Sequence, residues 1–321
     1  MKRFSIGVDL GGTNLRASAV APDGTVLEDF AIPTDANDGP EIVVERMVQG
    51  IREVQEGHSG KDLIGIGVGV PGLVRLDSGV IAQAPNLPGW NDFPLKERLE
   101  QWLDLPVLVE NDANAAALGE VWLGAGHDVD SLILLTLGTG IGGGIVSRGH
   151  IVHGADGMAG ELGHMTVDPN SPHICGCGNV GCLEAEASGT AIRKMGMEAA
   201  KSGESPRLQA LLEEEGWLTP LLVAQAADEG DEAARKIFTH MGQALGVNLA
   251  GLINAFNFPL YLLAGGVLAS WDLFAPAMFA EVKKRSITYR ATHTRIEKAR
   301  LGNKAGIFGA AYLPIQASMG E

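Results

Sequence analysis

Cysteine is scarce: the 321-residue chain has three thiols, and all lie within eight positions, Cys175-Gly-Cys177-Gly-Asn-Val-Gly-Cys182. Structural cysteines would be scattered through a core, so packing does not account for the group. No signal pattern precedes the first strand pattern, which starts within Met1-Lys2-Arg3-Phe4. A cytoplasmic, reducing setting follows, where disulfides do not persist and clustered thiols hold metal. Basic residues are also few. The 24 Lys and Arg stand against 39 Asp and Glu, form no dense run, and leave a formal net charge of -15, which excludes a nucleic-acid partner. The stretch from Ile237 to Trp271 has no charged residue and is long enough to cross a bilayer, but Gln243, Asn248, Asn254, Asn257 and Pro259 interrupt it. It reads as a buried helix followed by a buried strand, with no membrane partner. There is no G-x-x-x-x-G-K-[ST] run, so P-loop chemistry is excluded as well.

What is present is an ordinary globular composition, 45% hydrophobic and 20% charged, at a length that supports two cores. Residues 4–9 read as a strand, Leu10-Gly11-Gly12-Thr13-Asn14 as a turn, Leu15 to Ala21 as the returning strand, and Thr25 to Ile32 as a third. A helix over 41–55, strands at 63–70 and 106–109 and a helix over 113–122 follow. From Ser131 the opening arrangement returns: a strand at LILLTL, the turn Gly138-Thr139-Gly140-Ile141-Gly142, a strand at 143–147, a turn, and a strand at 150–152. Helices over 184–201, 219–228 and 231–256, a strand at 260–264, and helices over 272–285 and 305–317 complete the reading. The expected fold is α/β with two domains of like topology. A small N-terminal domain takes residues 1–119 plus the C-terminal helix 305–321, and a large domain takes 120–304.

Gly138-Thr-Gly140-Ile-Gly-Gly143 formally satisfies G-x-G-x-x-G. A dinucleotide site needs a helix directly after the glycines, whereas a strand pattern follows here, so that use is excluded. Two Gly/Thr hairpin turns remain, one per domain, each exposing backbone N–H groups to an anion. Facing each other they would grip a triphosphate. Gly265-Gly266 ends a strand and opens a helix, where bare backbone can lie against a purine or a phosphate. Asp9, at the end of the first strand, is placed to hold Mg²⁺ directly or through water beside the phosphates. Three cysteines and one histidine make a closed tetrahedral zinc set with no open position, which is a structural site. His164, in Glu161-Leu-Gly-His164, lies eleven positions before Cys175, and His173 lies two before it.

These motifs together resemble the ROK family (repressors, open reading frames and kinases) of the sugar kinase, heat-shock cognate and actin superfamily. The resemblance covers the whole chain. It rests on Asp9-Leu-Gly11-Gly12-Thr13-Asn14, Glu110-Asn111-Asp112-Ala-Asn114-Ala, Leu137-Gly138-Thr139-Gly140-Ile-Gly, and CGCGNVGCLE after Glu161-Leu-Gly-His164. The interval from His164 to Cys175 is one residue longer than the family pattern. His164 is preferred to His173 as the metal ligand, because its Glu-x-x-His setting matches the family and it arrives from a second segment. His173 is then expected as a solvated loop side chain. The resemblance implies two ribonuclease H-like (actin-like ATPase) domains with an interdomain cleft, Mg²⁺-ATP as donor, a hexose as acceptor, and a homodimer or homotetramer. It implies that Asn111, Asp112, Glu161, His164 and Glu184 contact sugar hydroxyls, with Asn86 and Gly72 nearby. Asp112, following a strand and opening a helix, is the expected general base. The leading expectation is phosphorylation of glucose at the 6-hydroxyl, since Leu87-Pro-Gly-Trp90 resembles the glucokinase branch. Another hexose or N-acetylhexosamine as acceptor, polyphosphate as donor, and a sugar-responsive regulator are the alternatives.

Overall fold

The computed structural model describes residues 3–58, 60–84 and 87–319. In chain order the elements are β1 (Arg3–Leu10), β2 (Asn14–Val20), β3 (Val26–Pro33), α1 (Pro40–Glu56), β4 (Asp62–Val70), β5 (Leu73–Arg75), β6 (Val80–Gln83), α2 (Leu95–Leu103), β7 (Val107–Asn111) and α3 (Asp112–Leu123). They continue as β8 (Leu132–Leu137), β9 (Ile141–Ser147), β10 (His150–Ile151), α4 (Leu183–Ala187), α5 (Gly189–Ser202), α6 (Pro206–Glu215), α7 (Pro220–Asp228), α8 (Glu232–Phe256), β11 (Leu260–Ala264), α9 (Trp271–Arg285), α10 (Ile287–Ala291), β12 (Arg295–Lys298) and α11 (Ala305–Met319).

Two five-stranded sheets share one order. The first runs β3-β2-β1-β4-β7 and the second β10-β9-β8-β11-β12, so in each the opening strand is central and the last two strands extend one side. β1 pairs antiparallel with β2 and parallel with β4. Central placement shows in the burial: Phe4, Ile6, Val8 and Leu10 on one face and Ser5 and Gly7 on the other are all buried, as a strand covered on both faces requires. The expected duplication is therefore present, in the strand order of the actin-like ATPase fold.

The chain forms two compact units. One holds residues 1–134, 144–160 and 299–321, and the other holds 135–143 and 161–298. The expected boundary at 119/120 falls inside α3, whose backbone continues unbroken to Leu123. The units divide within β8 and β9 instead.

In the first unit α1 buries Val43, Val44, Met47, Val48, Ile51 and Val54, a stripe at helical spacing that covers the sheet. α11 covers the same unit from the far end of the chain. It reaches backbone-to-backbone distance because the facing positions lack side chains. A Cβ at Gly67 would lie 1.9 Å from the Ala310 carbonyl oxygen, and one at Gly309 would lie 1.6 Å from that of Ala115. α3 is built to match, with Ala113, Ala115, Ala116 and Ala117 all buried. The buried Glu120 carboxylate ties the ends together, accepting the backbone N–H groups of Ala125, Arg300 and Leu301 at 2.7–3.0 Å.

In the second unit the charge-free stretch forms the end of α8, then β11 and a glycine turn. Asp231 caps α8 through Ala234 N, and Asn257, at φ 49°, ends it. No helix among the described residues is long and apolar enough to cross a membrane. The single helix expected over 184–201 is two helices. Ser188 breaks it by capping α5 through Ala191 N, while Gly189 N turns away to the Gly138 carbonyl. The short β5–β6 ribbon, α2, α6, α10 and β12 were not expected. The ribbon strands, α10 and β12 have too few residues to show a period, and α6 carries its start signal, Ser205-Pro206, in the cap alone.

Candidate active site

The first unit brings two sets of predicted residues into defined settings. Asp9 sits at the end of β1 directly opposite Arg16 on β2. Burial raises the Asp9 carboxyl above the usual carboxylate range, and Arg16 draws it back. The first turn of α11 lies against it, since a Cβ at Gly306 would be 3.0 Å from Asp9 Oδ1. The adjacent turn is pinned by its own backbone. Gly11 N donates to Asn14 O at 2.9 Å, Thr34 Oγ1 donates to Gly11 O at 2.6 Å, and Thr34 N donates to Thr13 O at 2.8 Å. Gly12, Thr13 and Asn14 face solvent. The turn is thus pinned by hydrogen bonds, open to solvent and next to a carboxyl group.

The second set surrounds the junction of β7 and α3. Asn111, not Asp112, caps the helix: Asn111 Oδ1 accepts Ala113 N at 2.9 Å and Asn114 N at 3.1 Å. Its other end, Nδ2, donates to the Gly72 carbonyl at 3.0 Å. Asp112 is the first helical residue, with Oδ1 accepting its neighbour Ala113 N at 2.8 Å. The positive end of the helix favours an anion there. Behind it, the buried Glu110 accepts Asn111 N at 2.8 Å and Asn114 Nδ2 at 2.9 Å, and meets His153 Nε2 at 2.6 Å. Glu110 and His153 were not expected at the site, because a side chain that braces its neighbours has no spacing of its own to read. Asn86 lies outside the described residues.

The second unit gathers the thiols, Glu161, His164, Glu184 and the second glycine turn. Within the cysteine loop Gly178 N donates to Cys175 O and Cys175 N to Asn179 O, folding the loop into a tight knuckle. One ligand atom from each of His164, Cys175, Cys177 and Cys182 falls within 4.8 Å of the others. Cys175 Sγ is 3.5 Å from His164 Nδ1, and Cys177 Sγ is 3.7 Å from Cys182 Sγ. A tetrahedral zinc with ordinary bond lengths separates two sulfurs by about 3.8 Å and a sulfur from a nitrogen by about 3.6 Å. Both of these pairs stand at those separations. Burial raises the Cys175 thiol and pushes Cys182 up to about 12, while the Asn179 backbone N–H lowers exposed Cys177. Such thiols need a cation to become thiolates together.

His164 turns its other nitrogen outward, 3.7 Å from Glu161 Oε2. Burial raises the Glu161 carboxyl, His164 lowers it, and the nearby Glu184 raises it further. Glu184 lies in the first turn of α4, two residues after Cys182, and its Oε2 accepts Ile141 N at 2.8 Å. The glycine turn is held from the other side by Gly189 N on Gly138 O at 2.8 Å. Gly265 follows β11 at φ 100°. A Cβ there would strike the Leu137 carbonyl at 2.2 Å, so this backbone lies directly against the base of the same turn. A short 3₁₀ turn from Gly266 to Ser270 then precedes α9, where a helix was expected at once.

His173 is not a solvated loop side chain. Its Nδ1 meets Glu186 Oε2 at 2.8 Å, His240 Nε2 meets the same oxygen at 2.7 Å, and Ser171 Oγ donates to Oε1 at 2.5 Å. The cause is Glu186, whose carboxylate is fully buried and requires donors. The 2.7–2.8 Å separations are hydrogen-bond lengths, shorter than two ligands of one tetrahedral metal allow. His173 therefore belongs to this cluster and His164 to the thiols. Glu186 carries no motif, and only its burial identifies it.

Paired sheets of one order, each with a glycine turn after its opening strand and an acidic residue at the first strand's end, define the sugar kinase and actin-like ATPase class. The model of the ROK family matches residues 5–317. A glucokinase of Halalkalibacterium halodurans is 40% identical over 313 residues, covering 97% of this chain and 94% of that protein. Among solved structures, the ROK hexokinase of Thermus thermophilus superposes with a TM-score of 0.83 at 34% identity, over 98% of this chain and 99% of that one. A ROK family glucokinase of Streptomyces griseus, in complex with glucose and AMPPNP, superposes with a TM-score of 0.80 at 34% identity, over the same shares of each chain. This chain belongs to the ROK family.

Proposed function

We propose that the chain is an ATP-dependent glucokinase, transferring the γ-phosphoryl group of Mg²⁺-ATP to the 6-hydroxyl of glucose. The observation that supports the reading is the β7–α3 junction, where Asn111 caps the helix and Asp112 stands as its first residue, at the helix N-terminus. Similarity to glucokinases over nearly the whole chain supports the choice of glucose.

Transfer to an alcohol needs a base, placement of the acceptor and neutralisation of phosphate charge. Asp112 accepts the 6-hydroxyl proton as that oxygen bonds to the γ-phosphorus and ADP leaves. Asp9 holds the Mg²⁺, directly or through water, and the Gly11–Asn14 and Gly138–Gly140 turns offer backbone N–H groups to the phosphates. Gly265 and Gly266 give the adenosine a surface without side chains. Asn111, Asp112, Glu161, His164 and Glu184 read sugar hydroxyls, with Gly72 on the acceptor side and Asn86 a further candidate for that role. The residues present fit a zinc ion held by His164 Nδ1 and the three cysteines. A closed set of this kind supplies structural order, not Lewis acidity. Zinc held there would fix the orientation of the His164 ring and leave Nε2 for the sugar. We place the reaction in the cytoplasm, where the thiols stay reduced.

Initial rates with Mg²⁺-ATP across glucose, fructose, mannose and the N-acetylhexosamines test the acceptor, with polyphosphate in place of ATP testing the donor. Glucose 6-phosphate is the expected product. Asp112→Asn should lower kcat by about 10²–10⁴-fold while glucose still binds; near-normal turnover would remove Asp112 as the base.

A further inference from the structure

Glu184 belongs to two sites at once. On the reading above its carboxylate holds a sugar hydroxyl, yet in the structure its Oε2 already accepts Ile141 N at 2.8 Å, the N–H closing the second glycine turn. The approach is tight. A Cβ at Gly140 would lie 2.3 Å from that same oxygen, so the turn has left a place for the carboxylate and for nothing larger. The turn is in turn fixed to α5 through Gly138 O and Thr139 O, which accept Gly189 N at 2.8 Å and Thr190 N at 3.3 Å. Sugar ligand, phosphate turn and helix start are thus one connected piece of backbone and side chain.

We infer that Glu184 makes hexose and nucleotide binding mutually reinforcing, because the carboxylate that reads the sugar is seated on the turn that holds the phosphates. Two physical effects have the same sign. A phosphate bound on the turn orders Ile141 N–H and with it the Glu184 side chain, so the sugar meets a carboxylate whose ordering cost has already been met. Conversely, an unliganded carboxylate beside a phosphate repels it. Sugar hydroxyls donated to Glu184 spread that charge and weaken the repulsion. By linkage the factor by which nucleotide tightens glucose equals the factor by which glucose tightens nucleotide.

The inference rests on Glu184 being a sugar ligand and on the turn binding phosphate, so the experiment separates those premises from the coupling itself. Calorimetric titration of the zinc-loaded enzyme with glucose, with and without saturating Mg²⁺-AMPPNP, gives the coupling factor, and the reverse titration checks reciprocity. The native enzyme should bind glucose at least about fivefold more tightly with AMPPNP present. Gly140→Ala drives the carboxylate off Ile141 N, and Glu184→Asp shortens the side chain out of reach of it. In both the factor should fall below about twofold. The factor is a ratio within one variant, so changes in either separate affinity cancel. If one variant fails to fold, the other decides. Native coupling below twofold, or undiminished coupling in a folded variant, overturns the inference. Glu184→Gln tests the premise: about tenfold or greater loss of glucose affinity supports it, and unchanged affinity removes Glu184 from the sugar site and the inference with it.

Discussion

Acid should unfold this protein partly through one carboxylate, Glu186. Burial alone would raise its pKa, but hydrogen bonds from His240, Ser171 and His173 outweigh that and hold it at about 2, against an ordinary 4.5. The gap of about 2.5 pH units corresponds to about 3 kcal/mol at 1.36 kcal/mol per unit. Glu186 is 0% exposed, so solvent screening does not reduce the figure much. A depressed folded pKa gives stability that is complete above 4.5 and is lost as pH falls from there toward 2. Glu186→Gln removes the titration and keeps the shape. Urea melts of the native chain and the variant, each at several values between pH 7 and pH 3, isolate the Glu186 cluster, because acid-sensitive groups that do not touch Glu186 cancel in the difference, and the window below pH 4.5 reports the carboxylate itself. The variant should be less stable by about 3 kcal/mol near neutrality, and the difference should shrink steadily below pH 4.5. A constant difference across that range would refute the hydrogen-bonded carboxylate as its origin.

Two further outcomes are expected. Cys177→Ser, or chelation of the native enzyme, should remove zinc and weaken glucose affinity together. Elemental analysis beside calorimetry checks this, and a zinc-free protein with native affinity would contradict the structural role. Gly67→Ala sets a methyl 1.9 Å from the Ala310 carbonyl, so α11 must move. A loss of about 1–3 kcal/mol in a thermal melt is expected, and an unchanged melt would show that α11 does not pack there as described.

The long elements were legible because burial imposes a period. β1, β4, β8 and β11 are apolar runs covered on two faces, and α1 and α8 carry helical stripes. The glycine turns were legible because few other residues tolerate the backbone approach seen at Gly265. Ser188 was not read as a break, since a serine and a glycine inside a helical pattern look like tolerated exceptions until the Gly138 carbonyl claims the Gly189 N–H. At the candidate site, the cysteine cluster was legible by its spacing, and Asp112 was read from its place between a strand and a helix and from the family resemblance. The supports did not. Glu110 with His153, and Glu186 with His173 and His240, are joined across 43, 13 and 54 positions. No local pattern registers contacts that only the tertiary fold creates. Asn111 and Asp112 show the finest limit: two adjacent residues, both able to cap, are told apart only by which oxygen the helix N–H groups meet.

The fold of the first unit joins the two ends of the chain, and this bears on biosynthesis. β1 starts at residue 3, but α11, which closes its sheet, spans residues 305–319. At synthesis rates of about 5–20 residues per second, roughly 15–60 s separate the emergence of the two. During that interval the bare strip of β1 and β4 around Gly7 and Gly67 has no cover. The strands β1 and β4 therefore wait for α11, and the growing chain carries an open sheet face until that helix has been made.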